Sequence, residues 1–255
     1  GGVFPMPDLL RRRELWFSIG LITVVAAISY APMIARLGFY RDDWYQLWAG
    51  ETLGYRSIIT LFSIDRPVMG YLYAAAYRLL GDSPLGWQLY SLLVRWLGAL
   101  GGLWLLRRLW PQARLATTSA VLLMLVYPGF LQQPNANTFS NHLFAYTSAI
   151  LSLAAALESV HHRGLVRGLY IGLAVLSGLA SWVTYEYMIG LQALGYVVLA
   201  RWAWSSNSGS AAARRKRVVA VVPPFLIPLT LFLVYRPFFF RGGRGAGDAG
   251  AGLRA

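Results

Sequence analysis

Long apolar runs separated by short polar connections dominate the chain. A helix needs about 20 apolar residues to cross a bilayer, and several runs approach that length. They are Leu15–Leu37, Leu85–Leu106, Leu115–Phe130, Phe139–Val160, Leu165–Val183, Tyr187–Trp204 and Val218–Tyr235. The pattern predicts an all-α fold, a polytopic transmembrane helical bundle with about seven spans.

The positions of the basic residues predict the orientation of these spans. Arg11–Arg13 precede the first run, and Arg107, Arg108 and further arginines fall in every second connection after it. Cytoplasmic connections carry the excess of Lys and Arg in membrane proteins. We therefore expect a multi-pass protein of the cytoplasmic membrane with its N-terminus inside. The apolar stretch Arg66–Gly81 would invert this map if it crossed, so we expect it to lie in the outer interface.

The first outer loop, residues 38–84, contains the most informative polar cluster. Asp42 and Asp43 follow the first span, and Trp44, Leu47 and Trp48 then recur at helical spacing. This pattern predicts juxtamembrane helices that begin at two carboxylates. Asp43 followed by Gln46 resembles a capping box, which would leave Asp42 available for other chemistry. On spacing alone, capping and catalysis are equally good interpretations of Asp43.

Small residues in the predicted spans indicate where helices pack closely. Gly98 and Gly102 form a GxxxG pattern in the second span, and Gly164, Gly168 and Gly172 repeat that spacing in the fifth. Such residues allow the backbones of neighbouring membrane helices to approach each other. Arg95 lies in the middle of the second span, where a cation is costly, so we expect its side chain to face the bundle interior.

The composition excludes several classes of protein. Of 255 residues, 57% are hydrophobic and 13% are charged, and the mean hydropathy is +0.50. Soluble domains carry about 25% charged residues, so a soluble domain is excluded. There are no cysteines, which excludes disulfides and thiol chemistry. The net charge of +13 comes from clusters between apolar runs, a pattern typical of membrane topology rather than of nucleic-acid binding.

The two ends of the sequence favour a piece of a longer protein. The chain begins Gly1-Gly2 without a methionine, and residues 241–255 form a Gly/Ala/Arg-rich tract without apolar periodicity. We expect residues 1–240 to form one transmembrane module and the tract to be a disordered tail.

Several motifs, in order, resemble those of GT-C type membrane glycosyltransferases. They are YRDDW at 40–44, Arg66-Pro67, LLGDSP at 79–84, LLRRLWP at 105–111, YPGFLQQPNANTFSNH at 127–142 and TYEYMIGLQAL at 184–194. The chain looks like the N-terminal seven-helix module shared by protein O-mannosyltransferase-like and aminoarabinose-transferase-like enzymes. Related enzymes often carry Arg at the head of the second span, where this chain has Gln88.

The resemblance implies transfer of a sugar from a polyprenyl-phosphate carrier to an acceptor on the outer face, at the cell envelope. The acceptor would be a glycan, a lipid or a protein. Direct displacement would invert the anomeric centre, with Asp42 or Asp43 as the base, and Asp42 is preferred if Asp43 caps the helix. Some relatives use a divalent metal and many do not, and the sequence requires no metal. The expected partners are the lipid-linked sugar and the bilayer, without nucleic acid.

Other polar residues are weaker candidates for binding substrate. Arg66 and Arg95 are candidates for binding phosphate, His142 for phosphate or acceptor, and Gln88 stands at the head of its span. Glu186 lies between Tyr185 and Tyr187, an arrangement that suits a sugar-binding rim. Each also has a structural interpretation. Arg66 would be an interfacial anchor, Arg95 an arginine tolerated by packing with access to water, His142 a helix-end histidine satisfied by a neighbour, and Glu186 a solvated residue in an aromatic belt.

A transporter or lipid flippase without glycosyl-transfer chemistry is the alternative function. Transporters place ionisable groups near the bilayer midplane, where this chain has Arg95. The acidic residues instead cluster in the predicted outer loops, which favours chemistry at the membrane surface. A purely structural membrane subunit is a third interpretation.

Overall fold

The computed structural model describes residues 8–63, 66–127, 133–205 and 209–239. Within these ranges the chain is helical and contains no β-strand. The helices are α1 Asp8–Ile34, α2 Asp43–Leu53, α3 Tyr55–Phe62, α4 Pro67–Leu80, α5 Pro84–Leu109, α6 Arg114–Leu125, α7 Ala136–Ser159, α8 Gly164–Thr184, α9 Ile189–Ser205, α10 Ala211–Val221 and α11 Pro223–Phe239. The tail at 241–255 lies outside the described residues.

Local sequence explains where the central helices begin. The Ser83 hydroxyl accepts a hydrogen bond from the Gly86 amide at 3.2 Å, and Pro84 occupies the first helical position of α5. Proline at that position loses no hydrogen bond, and serine is a preferred N-cap residue. Pro67 starts α4 in the same way. These signals fix where α4 and α5 begin.

Helix α7 lies at the centre of the bundle, between α5 and α8. It is buried over most of its length and carries many Ala, Ser and Thr residues. At Gly98 of α5, a Cβ atom would lie 2.6 Å from the Thr147 hydroxyl oxygen, so only glycine allows this approach. Close packing at Gly98 is therefore confirmed. A Cβ atom at Gly164, Gly168 or Gly172 would have no described atom within 4 Å, so the predicted packing role is wrong for those three positions.

Polar contacts gather at the two opposite ends of the bundle. At one end, Arg107 pairs with Glu14, and Arg108 pairs with Glu158. At the other end, Asp43 contacts Thr138 at the start of α7. This separation agrees with the alternation of basic and base-poor connections in the sequence.

Three helical segments are long and apolar enough to cross a membrane: Arg12–Ile34, Pro84–Leu109 and Gly164–Thr184. Helices α10 and α11, bent by 45° at their junction before Pro223, would make a fourth if they form one span. The apolar helices support a membrane protein, but the seven predicted spans are not confirmed.

Helix length and helix composition explain why α6 and α7 are not among these candidate spans. Helix α6 has 12 residues and rises about 18 Å, which is less than the about 30 Å of a bilayer core. Helix α7 has 24 residues, but its buried face requires small and polar groups rather than lipid-facing apolar ones. Helix α4, which covers most of Arg66–Gly81, has only 14 residues, in line with an interfacial position.

We expect the two ends of the bundle to lie on opposite sides of the membrane. Asp82 and Gln112 are both exposed, and the chain has no native cysteine. In intact cells, an impermeant maleimide should label Asp82→Cys, whereas Gln112→Cys should react only after permeabilisation. The opposite labelling pattern would contradict the predicted orientation.

We expect Gly98→Ala to destabilise the bundle because the new methyl group collides with Thr147. Overpacking of this kind costs about 1–3 kcal/mol. Gly172→Ala is the matched control, since a Cβ atom there meets no described neighbour. Thermal unfolding in detergent should therefore show a lower Tm for Gly98→Ala than for Gly172→Ala. Equal Tm values would contradict the tight α5–α7 contact.

Candidate functional site

A cavity of about 470 Å³ lies at the end of the bundle that contains Asp43. We call it the Asp42 cavity. Its wall combines residues from the start of α2, the end of α3, the start of α4, the start of α7 and the turn after α8. They include Asp42, Tyr45, Gln46, Phe62, Arg66, Tyr73, Thr138, His142, Tyr185 and Tyr187. Residues from distant parts of the sequence therefore meet here.

Asp43 is fully buried beside this cavity and forms a structural contact. Its Oδ1 atom accepts hydrogen bonds of 2.8 Å from both the backbone amide and the hydroxyl of Thr138. Its Oδ2 atom accepts a 3.3 Å hydrogen bond from the Tyr40 amide. The predicted capping box is wrong: Asp43 is the first residue of α2, and its carboxylate bonds backward to Tyr40 and across to α7.

Asp42 is exposed and lines the Asp42 cavity. It occupies the N-cap position of α2, but its side chain makes no capping hydrogen bond. Arg41 before it has φ of 49°, a left-handed conformation that is uncommon for residues other than glycine. The turn that results directs the two neighbouring carboxylates to different surroundings, one to the cavity and one to the protein interior.

Arg66 brings a positive charge to the same cavity. Its guanidinium carbon lies 5.2 Å from the centre of the Tyr185 ring, within the range of a cation–π contact. Pro67 follows it as the first residue of α4, so Arg66 is held where a loop becomes a helix. The cavity therefore contains a carboxylate from one element and a guanidinium from another.

His142 and two tyrosines form an aromatic wall. The His142 ring stacks on Tyr185 with 4.0 Å between ring centres, and its Nδ1 atom lies 2.5 Å from the Tyr187 hydroxyl. The Phe139 ring also stacks on His142, with 4.7 Å between ring centres. Flat rings beside polar groups suit the faces and hydroxyls of a sugar.

The remaining predicted site residues lie elsewhere. Glu186 is partly exposed in the turn between the two cavity tyrosines, but it does not line the cavity itself. Gln88 is buried in α5, where its side-chain oxygen accepts a 2.9 Å hydrogen bond from Gln133. Arg95 is 6% exposed and lies over the Tyr30 ring at 4.7 Å. Its predicted orientation toward the bundle interior is confirmed, and it does not reach the Asp42 cavity.

Burial controls the acidity of Asp43. Loss of solvation raises the pKa of its carboxyl above 3.8, and the nearby charge of Asp42 acts in the same direction. The hydrogen bonds from Thr138 and Tyr40 oppose this shift because they favour the charged form.

Sequence reasoning missed Thr138 and Tyr73 as parts of this site. The Tyr73 hydroxyl donates a 2.6 Å hydrogen bond to the Thr138 carbonyl, so Thr138 links three elements. The run of polar residues at 133–142 was the available signal, but nothing in it singles out Thr138. In the described part of the chain, no three His, Cys, Asp or Glu side chains form a group that could hold a metal ion.

Comparisons with models of protein families, with curated proteins and with solved structures gave no match. The geometry of the Asp42 cavity and the motifs of the sequence are therefore the observations that bear on function.

We expect Asp43→Asn to remove a pH-dependent part of the stability. Because the folded-state pKa is raised, the native protein binds the Asp43 proton more tightly than the unfolded chain does. That stability is fully present below the unfolded pKa and is lost as pH rises through the folded pKa. Thermal unfolding in detergent across the acidic range should show this loss in the wild type and in Asp42→Asn. Persistence of the same loss in Asp43→Asn would contradict the assignment.

Proposed function

We propose that the protein is an integral membrane glycosyltransferase. It transfers a sugar from a polyprenyl-phosphate carrier to an acceptor hydroxyl at the outer face of the membrane, with inversion at the anomeric carbon. The observation that carries this proposal is the meeting of Asp42, Arg66 and His142 in one cavity. The order of motifs in the sequence supports the same reaction class.

The chemistry of the donor matches the groups in the cavity. A glycosidase needs a protonated acid because its leaving group is an alcohol oxygen. A lipid phosphate leaves as an anion that needs no proton. The reaction therefore requires one base for the acceptor and positive charge for the phosphate. Asp42 and Arg66 supply these two requirements.

The proposed step is a single displacement. The acceptor hydroxyl oxygen forms a bond to the anomeric carbon while Asp42 takes its proton. The bond from that carbon to the phosphate oxygen breaks, and the electron pair leaves with the polyprenyl phosphate. Arg66 stabilises the charge on the departing phosphate. The products are the inverted glycoside, the carrier phosphate and protonated Asp42.

The neighbouring residues support this division of roles. Asp43 uses both carboxylate oxygens to hold Thr138 and Tyr40, so it positions the turn that presents Asp42. His142 and Tyr185 line the cavity beside Tyr187, which is exposed and adds a hydroxyl group. Such a wall suits a hexose or pentose ring better than a lipid tail.

The transporter or flippase alternative receives less support from the described residues. Its mechanism would need ionisable groups along a path through the bundle centre. Arg95 is buried in the middle of α5, but it lies against Tyr30 and does not line the Asp42 cavity.

We expect Asp42→Asn to lower sugar transfer by about 10²–10⁴-fold, the usual contribution of a general base. The assay measures incorporation of radiolabelled sugar from polyprenyl-phosphate mannose or polyprenyl-phosphate arabinose into cell-envelope acceptors, using the full-length protein at matched expression. Asp82→Asn is the matched control because Asp82 is exposed and does not line the cavity.

Arg66→Gln should raise the KM for the donor and also lower kcat, because it removes the charge proposed to bind the phosphate and to stabilise it as it leaves. Asp42→Asn should instead act mainly on kcat. Near-normal transfer by Asp42→Asn, with the wild type active, would reject the proposed mechanism.

A further inference from the structure

A second cavity, of about 360 Å³, lies at the opposite end of the bundle between α1, α5 and the start of α6. We call it the Trp104 groove. Its apolar part is formed by Leu15, Ile19, Leu100, Leu103 and Trp104. Leu15 is 42% exposed, so the groove opens on an exposed side of α1. An acyl chain in this groove would contact mainly hydrocarbon and one indole ring.

Three arginines line the polar end of the Trp104 groove: Arg107, Arg108 and Arg114. Glu14 pairs with Arg107, and Glu158 pairs with Arg108. Among the described residues that line the groove, the three arginines are positive and Glu14 is negative. The charge is therefore complementary to an anionic headgroup.

Arg107 retains donors that the described residues do not satisfy. Its Nη2 atom donates to Glu14, to Ser18 at 3.2 Å and to Thr118 at 2.9 Å. Its Nε and Nη1 atoms are enclosed and have no hydrogen-bond partner in the described part of the chain. Buried donors without acceptors cost free energy. A phosphate oxygen in the groove would offer an acceptor after a rotation of the guanidinium group.

The start of α6 adds to the positive potential at this end. Arg114 is the first residue of this 12-residue helix, and Ala113 at the N-cap position provides no side-chain hydrogen bond. The dipole of the first turn of a helix favours a negative group. It acts here beside the three arginines and the cavity.

We propose that the Trp104 groove binds an anionic phospholipid from the leaflet at this end of the bundle. One acyl chain occupies the apolar part, and the phosphate lies among Arg107, Arg108 and Arg114. Basic pockets between membrane helices bind anionic headgroups in this way. The apolar lining favours a lipid over a soluble anion. The site lies at the end opposite the Asp42 cavity and does not depend on the proposed transferase activity.

The test is lipid binding to the purified full-length protein, measured by native mass spectrometry in detergent. Phosphatidylglycerol and phosphatidylethanolamine with the same acyl chains are compared. We expect tighter binding of phosphatidylglycerol, and Arg114→Gln should weaken it about fivefold, the effect of one charge near a membrane surface. Binding of phosphatidylethanolamine should change little.

Two further variants distinguish lipid binding in this groove from a general effect of protein charge and from a folding defect. Arg163→Gln removes the same charge from an exposed residue that does not line the groove, and it should bind phosphatidylglycerol like the wild type. Leu15→Trp narrows the apolar part and should weaken both lipids. The Tm of each variant shows that it remains folded.

Several results would overturn the proposal. Equal affinity for the two phospholipids would identify ordinary lipid contact, and equal losses in Arg114→Gln and Arg163→Gln would identify a general charge effect. Inorganic phosphate is added as a competitor at the lipid concentration. If it displaced phosphatidylglycerol and Leu15→Trp had no effect, the groove would be a site for soluble anions.

Discussion

The contact between Asp43 and Thr138 organises the candidate site. A buried carboxylate requires donors, and these come from the Thr138 amide, the Thr138 hydroxyl and the Tyr40 amide. The Thr138 carbonyl in turn accepts from Tyr73. One threonine thus joins the turn before α2, helix α4 and helix α7. This contact links the loop that bears Asp42 to the start of α7, where His142 also lies.

The sequence was sufficient to predict features that depend on local pattern and on the cost of burial. It predicted helices throughout, an inward Arg95, close packing at Gly98 and polar clusters separated by apolar runs. A mid-helix cation must avoid lipid, and a GxxxG pattern favours close contact between helices. Such arguments need no knowledge of which elements become neighbours.

Features that depend on distant pairing could not be predicted. Asp43 and Thr138 are 95 positions apart, so the spacing of Asp43 and Gln46 suggested a local cap instead. Arg66, His142 and Tyr185 meet only because the starts of α4 and α7 and the end of α8 lie at the same side of the bundle. The seven predicted spans are not confirmed for a related reason: α6 is short, and α7 is buried among other helices and rich in small and polar residues.

Buried carboxylates form contacts near both ends of helix α7, one from α2 and one from α7 itself. Near its start, Thr138 binds Asp43. Near its end, Glu158 binds Arg108, the Trp104 indole nitrogen and the His162 ring. A sliding motion of α7 by one residue, about 1.5 Å, would break both sets of contacts at once. The axial register of α7 is therefore fixed, so any opening of the bundle must come from rotation or tilting of the helices around it rather than from a piston-like movement of its central helix.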